Sequence, residues 1–80
     1  MKLKVEVFGT GCAKCKRLEK NVNEALAQAG ITAEVIKVED INAIVARGIM
    51  VTPALAINGE VKLMGKVPSV DELLGIIRST

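Results

Sequence analysis

What most restricts the fold of this chain is a change of hydrophobic period across residues 9–12. Before it, Leu3, Val5 and Val7 alternate with Lys2, Lys4 and Glu6, the period of two that a strand requires. Gly9-Thr10-Gly11 breaks the alternation. From about Cys12 or Ala13 onward the apolar residues recur at steps of three and four: Cys15, Leu18, Val22, Ala25, Leu26 and Ala29. Lys16, Arg17, Glu19, Lys20 and Glu24 cover the other side of this helix, and Gly30 supplies its stop. Residues 32–38, Thr-Ala-Glu-Val-Ile-Lys-Val, are β-branched enough for a second strand. Two strands joined by a long helix are expected to be parallel, with a right-handed crossover.

The remaining elements follow from local signals. Asp40 caps a short helix over 41–47, with Ile41, Ile44 and Val45 facing the sheet and Gly48 ending it. Ile49-Met50-Val51-Thr52-Pro53 leads into a third strand, Ala54 to Ile57. Asn58-Gly59 suits a type I′ hairpin turn, which needs positive φ at both central positions, and a fourth strand runs from Glu60 to Met64. After a loop at Gly65-Lys66-Val67-Pro68, Ser69-Val70-Asp71-Glu72 forms a capping box for a last helix that buries Val70, Leu73, Leu74 and Ile77. The order is β-α-β-α-β-β-α. It predicts an α/β fold, a mixed four-stranded sheet with helices on both faces. With no linker, repeat or low-complexity stretch, residues 1–80 are read as a single domain.

Composition narrows the function classes. Half of the 80 residues are hydrophobic and a quarter are charged, which suits a packed core rather than disorder. Phe8 is the sole aromatic, so the core is aliphatic and no platform exists for stacking nucleic-acid bases. A net charge of +2, with both signs interspersed, offers no footprint for a phosphate backbone. The absence of His removes Cys-His and Ser-His catalysis and His-ligated zinc. The start of the chain has no continuous apolar segment of a targeting signal, and no apolar run approaches the roughly 18 residues of a membrane span. A cytoplasmic monomer without membrane or nucleic-acid partners is expected.

The chemistry then rests on Cys12-Ala13-Lys14-Cys15. Two cysteines cannot make the staple framework of small secreted domains, and a bridge between these two closes too small a loop to stabilise much. Cys12 stands where the helix begins, so its thiolate is favoured by unpaired N–H groups and the positive dipole end. Lys14, Lys16 and Arg17 add positive charge that is largely screened. Cys15, one turn further in, lies on the apolar stripe. The asymmetry assigns Cys12 as attacking thiolate and Cys15 as resolving thiol. Pro53 cannot donate to a sheet ladder and belongs at a strand start or special turn. Were its bond cis, the Thr52 backbone would be left to pair with an extended peptide. Ala13, Ile49, Met50 and Val51 are expected to line a shallow groove around Cys12, while Met50 and Met64 are otherwise read as apolar filler.

Cys12-x-x-Cys15 after the first strand, Pro53 before the third, and the β-α-β-α-β-β-α order together resemble the thioredoxin fold. Gly9-Thr10-Gly11-Cys12-Ala13-Lys14-Cys15, the short length, and Met64-Gly65 after the hairpin look most like the small prokaryotic thioredoxin/glutaredoxin-like redox-active disulfide proteins. The resemblance covers nearly the whole chain. It implies a thiol–disulfide oxidoreductase of protein-disulfide reductase type, with Cys12 as nucleophile, Cys15 as resolving cysteine and Pro53 as a cis-proline beside them. Gly11, Ala13, Lys14, Val51, Thr52, Pro53 and Gly65 are then the candidate substrate-binding residues. The redox centre is the reversible Cys12–Cys15 disulfide, with no other cofactor and no metal. The partners are a protein or small-molecule disulfide and an external disulfide reductase, a flavin enzyme being one candidate class. Three departures stand out. Ala13-Lys14 replaces the Gly-Pro of thioredoxin and the Pro-Tyr of glutaredoxin, so neither potential transfers. Gly11 stands where thioredoxin has Trp. Gly65 alone, followed by Lys66, does not match the Gly-Gly and Asp with which glutaredoxins hold glutathione. A buried carboxylate serving Cys15 is unassigned, because Glu6, the only acid in the first strand, is read as facing solvent.

Two other readings compete. Heavy-metal-associated copper chaperones also carry C-x-x-C after a first strand, and thiolates suit Cu(I), but their β-α-β-β-α-β order ends in a strand. An interaction module with a vestigial dithiol is the third reading.

Overall fold

The computed structural model describes residues 3–79. Seven elements appear in the expected order: β1 (Leu3–Phe8), α1 (Ala13–Ala29), β2 (Ala33–Val38), α2 (Ile41–Ala46), β3 (Ala54–Ile57), β4 (Glu60–Met64) and α3 (Val70–Arg78). The four strands form one mixed sheet in the order β2-β1-β3-β4. β1 runs parallel to β2 and antiparallel to β3, and β3 is antiparallel to β4. This is the α/β architecture that the hydrophobic periods imply.

The local signals act as their chemistry dictates. Asn58 and Gly59 both take positive φ, 52° and 86°, as the tight hairpin requires. The turn is tied to β1: the Asn58 N–H donates to the Lys4 carbonyl at 2.8 Å, and the Lys4 N–H donates to Asn58 Oδ1 at 3.0 Å. At α3 the Ser69 hydroxyl accepts from the Glu72 N–H, and Glu72 accepts in turn from the Ser69 N–H, completing the capping box. Asp40 caps α2 by accepting from the Asn42 N–H.

Strand alternation divides the core in two. On one face, Val5, Val7, Leu55 and Ile57 pack against Leu18, Val22, Ala25 and Leu26 of α1 and Leu73 and Ile77 of α3. Val70 and Leu74 are only half-buried at the margin of this layer. On the other face, Phe8 packs with Ala54, Ala56, Ile44 and Ile49. The two alanines leave room for the one aromatic ring.

Three sequence expectations fail on this second face. Of the three, only Ile44 is buried; Ile41 and Val45 are each 62 % exposed and stand beyond the Phe8 layer. Ile49 is not a surface residue but is buried at 2 % exposure, whereas Met50 is 87 % and Met64 46 % exposed, so neither methionine fills a core gap. Glu6, expected on the solvent side of β1, is buried. Its Oε2 accepts from Arg47 Nη1 at 2.8 Å, and the Arg47 guanidinium also lies 5.2 Å from the centre of the Phe8 ring. Arg47 at the end of α2 thus covers this edge of the layer through an ion pair and a cation–π contact.

The packing identifies Leu18 as a keystone between sheet and helices, with no exposed surface. Leu18→Ala is expected to lower unfolding free energy by about 2–5 kcal/mol. Urea denaturation should show this as a fall in midpoint at unchanged slope.

Candidate active site

The sheet register gathers four segments at one end. Phe8, the last residue of β1, pairs with Ala54, the first of β3, and Ala54 pairs with Met64, the last of β4. Phe8 also pairs with Val38, the last of β2. The loops carrying Gly9–Cys12, Glu39, Thr52–Pro53 and Gly65 therefore emerge together. Every residue singled out for exchange chemistry from sequence lies in or beside these loops or on the first turn of α1.

Cys12 is the N-cap of α1, with extended backbone at φ −70° and ψ 169°. Its Sγ is exposed, accepts from the Cys15 N–H at 3.4 Å and lies 2.8 Å from Cys15 Sγ. Cys15 is buried, and both thiols are free. The two sulfurs sit in different solvents although one helical turn apart. The Cys15 thiol, donating to the Cys12 sulfur, is the largest influence holding Cys12 below the ordinary thiol range; the backbone N–H groups of the first turn add to it. Burial is the largest influence pushing Cys15 above that range, and its engagement with Cys12 adds to this.

Gly9 makes this placement possible. It continues the inward parity of Val5 and Val7, where an apolar side chain would be expected. A Cβ there would overlap Cys15 Sγ and stand 2.9 Å from Cys15 Cβ. The sequence reading took Gly9 only as part of a turn; its parity was the available signal, since a glycine at an inward strand position marks close approach.

The Thr52–Pro53 bond is cis. Pro53 is buried, and its carbonyl accepts from the Gly65 N–H at 2.7 Å. A Cβ at Gly65 would lie 2.8 Å from Val51 Cγ1, so Gly65 abuts the proline loop and holds it. Among the described residues, the Thr52 backbone has no hydrogen-bond partner. Gly11, Ala13, Lys14, Val51 and Thr52 are exposed around this centre.

Two depressions flank the dithiol. On the α2 side an open groove of about 320 Å³ is formed by Ile41, Val45 and Met50 over a floor of Ile44 and Ile49. Thr10 and Thr52 join it to the dithiol and proline loops. On the α1 side a cleft of about 80 Å³ is bordered by Gly9, Gly11, Cys15 and Glu39. Among the described residues no group of three or more His, Cys, Asp or Glu comes together as a metal-binding cluster. No helix of the described residues is long and apolar enough to cross a membrane.

The arrangement suits two-electron exchange between a dithiol and a disulfide. Comparisons with known proteins agree. A family profile described as "Thioredoxin domain" matches residues 1–78. A thioredoxin of Methanothermobacter thermautotrophicus is 43 % identical over 75 residues, spanning 94 % of this chain and 97 % of the relative. A thioredoxin of Methanocaldococcus jannaschii is 41 % identical over 75 residues, spanning 94 % of this chain and 86 % of that one. Among solved structures, a thioredoxin-2 described as a component of malaria parasite protein secretion machinery superposes with a TM-score of 0.69. It shares 20 % identity, with 99 % of this chain and 84 % of that chain covered.

The opposed thiol environments have a direct test. Alkylation of Cys12 by iodoacetamide should follow a titration centred below the ordinary thiol value. In Cys15→Ala, which removes the donating thiol but keeps the backbone N–H, that titration should move to higher pH. Labelling at pH 7 should slow accordingly, measured as rate against pH.

Proposed function

The chain belongs to the thioredoxin family and is a thiol–disulfide oxidoreductase; we propose that its work within that chemistry is the reduction of protein disulfides. The observation that carries the exchange mechanism is the pair itself, an exposed Cys12 at the helix cap with a buried Cys15 2.8 Å away. In the first step the Cys12 thiolate attacks one sulfur of the substrate disulfide. A Cys12–substrate bond forms, the substrate S–S bond breaks, and the second sulfur departs as thiolate. In the second step Cys15 gives up its proton and attacks Cys12 Sγ. The mixed disulfide breaks, the electron pair leaves on the substrate sulfur, and the Cys12–Cys15 bridge remains. Two electrons have passed to the substrate.

The surroundings support a protein substrate. The unpartnered Thr52 backbone next to cis-Pro53 can pair with an extended strand, and Ile41, Val45, Met50 and Val51 offer exposed apolar surface beside it. A small disulfide needs neither. The reversible bridge is the redox centre in this reading, with no further cofactor. An external disulfide reductase returns the electrons, and the reducing cytoplasm is the compartment where the dithiol form persists.

Titration of the protein in graded thiol/disulfide buffers, with free thiols counted by mass spectrometry after alkylation, should show one two-electron transition. A midpoint of roughly −180 to −270 mV fits an exchange catalyst. Cys12→Ser should abolish turnover, and Cys15→Ser should accumulate a mixed disulfide with protein substrate. Absence of a Cys12–Cys15 bridge at every poise would overturn the mechanism.

Recognition is tested separately. Met50→Lys places a charge in the apolar groove without touching either sulfur. It should slow reduction of insulin about tenfold while leaving reduction of a small disulfide such as hydroxyethyl disulfide near the wild-type rate. Equal loss on both substrates would remove the groove from the reading.

A further inference from the structure

Along the sequence the two signs of charge look evenly mixed, but the fold sorts them. Lys14, Lys16 and Arg17 stand on the first two turns of α1, and Lys66 directly follows Gly65 in the loop after β4. All four are exposed, and among the described residues none has an ion pair or hydrogen bond from its side chain. Glu19 and Lys37, which border the α1-side cleft, neutralise each other at 3.4 Å. The other carboxylates of this end are Glu39, beside Gly11, and Asp40, which caps α2. Four cations against these two acids leave an excess of two positive charges, equal to the net charge of the whole chain. The imbalance of the protein therefore sits around its dithiol.

Helix stability does not account for this placement. α3 carries Asp71 and Glu72 in its first turn and Arg78 in its last, as the helix dipole favours. α1 has no acid in its first turn and no base in its last, and sets Lys14 and Lys16 beside its positive end. The Cys12 thiolate offsets part of that charge only until it attacks. In the mixed disulfide Cys12 is neutral, and the counter-charge must come from the substrate or from solvent ions. Nor is the charge confined to the helix. The Gly65 N–H donates to the Pro53 carbonyl at 2.7 Å, which fixes the point where Lys66 leaves the proline loop. Cations thus flank the dithiol from two elements distant in sequence, whereas the α2-side groove is lined by no charged residue.

We propose that the substrate is an acidic polypeptide segment, a disulfide flanked by Asp or Glu, and that Lys14 and Lys66 select it. The inference rests on the protein-disulfide reading above and names the chemistry of that substrate. Acidic side chains next to the attacked disulfide meet the cations, while apolar residues of the same segment occupy the uncharged groove. The bonds made and broken are those of the two-step exchange. The cations act on encounter and orientation, where charge complementarity contributes most.

The test uses three peptides, each closed by one intramolecular disulfide and identical except that Glu, Gln or Lys flanks the cysteines. Second-order rates of reduction by the reduced protein are read by acid quench, alkylation and mass spectrometry. Each is divided by the rate with dithiothreitol, which removes the peptides' own differences in reactivity. At about 20 mM salt the Glu peptide should react at least about tenfold faster than the Lys peptide, and at about 0.5 M salt the ratio should approach one. In Lys14→Gln/Lys66→Gln the low-salt ratio should fall to about threefold or less, and because it is a ratio any change in Cys12 acidity cancels. Lys4→Gln/Arg78→Gln removes the same charge near the start of β1 and at the end of α3, and should leave the ratio unchanged. Glutathione disulfide carries negative charge without an apolar segment and should react at least about tenfold slower than the Glu peptide. A wild-type ratio near one, a ratio unaltered in Lys14→Gln/Lys66→Gln, or an equal fall in Lys4→Gln/Arg78→Gln would each overturn the proposal. Glutathione disulfide reacting as fast as the Glu peptide would overturn the polypeptide partner in favour of small anionic disulfides. Wild-type protein that reduces hydroxyethyl disulfide but none of the peptides would instead overturn the protein-disulfide reading itself.

Discussion

The structure depends on holding two chemically identical groups in unequal surroundings within one turn of helix. Cys12 must be where a substrate can reach it, and Cys15 must be where none can, yet their sulfurs must stay 2.8 Å apart. A helix beginning at the end of a central strand meets this requirement, because its cap residue projects to solvent while the residue three further on faces the sheet. The residue beneath Cys15 must then have no side chain. Gly9 meets that condition, and Val5 and Val7 before it and Leu18 and Val22 after Cys15 secure the helix on the strand. The unequal acidity of the thiols follows from this geometry: first-turn N–H groups and the Cys15 thiol favour charge on one sulfur, and burial disfavours it on the other.

The parts legible in the sequence are those governed by local rules. The alternation of Leu3, Val5 and Val7, the stripe from Cys15 to Leu26, the Asn58-Gly59 turn and the Ser69–Glu72 box each specify a conformation by interactions within a few residues, and each appears in the structure. Where long-range contacts decide, sequence reasoning went astray. Glu6 looked solvated because its strand neighbours Lys2 and Lys4 are charged, but burial there is set by Arg47, far along the chain at the end of α2. No period in the sequence records that pairing. α2 misled for a related reason: Ile41, Ile44 and Val45 make an apolar face, yet only Ile44 joins the Phe8 layer.

The site divides along the same line. Cys12, Cys15 and Pro53 could be named from spacing and position. Gly9 was legible only through its inward parity, since a glycine's role lies in the atom it lacks. The apolar groove was half legible, in Met50 and Ile49 but not in Ala13 and Val51, and Ile49 forms part of its floor because the loop before β3 turns that side chain into the Phe8 layer.

These placements give the dithiol two unlike flanks. On the α2 side lie exposed aliphatic side chains and the free Thr52 backbone; on the α1 side lies a small cleft with carboxylates and lysines. The separation has a chemical logic. In the proposed reading a polypeptide docked on the apolar flank would exclude water from the attacked disulfide, which favours transfer between sulfurs over side reactions. Release of the Cys15 proton needs the opposite condition, contact with water, and it is needed only at the second step of the exchange. Cys15 borders the α1-side cleft, on the flank away from the apolar groove. A single helix cap can therefore serve a dry bond exchange and a wet proton transfer in sequence, with the two steps kept apart by the body of α1's first turn.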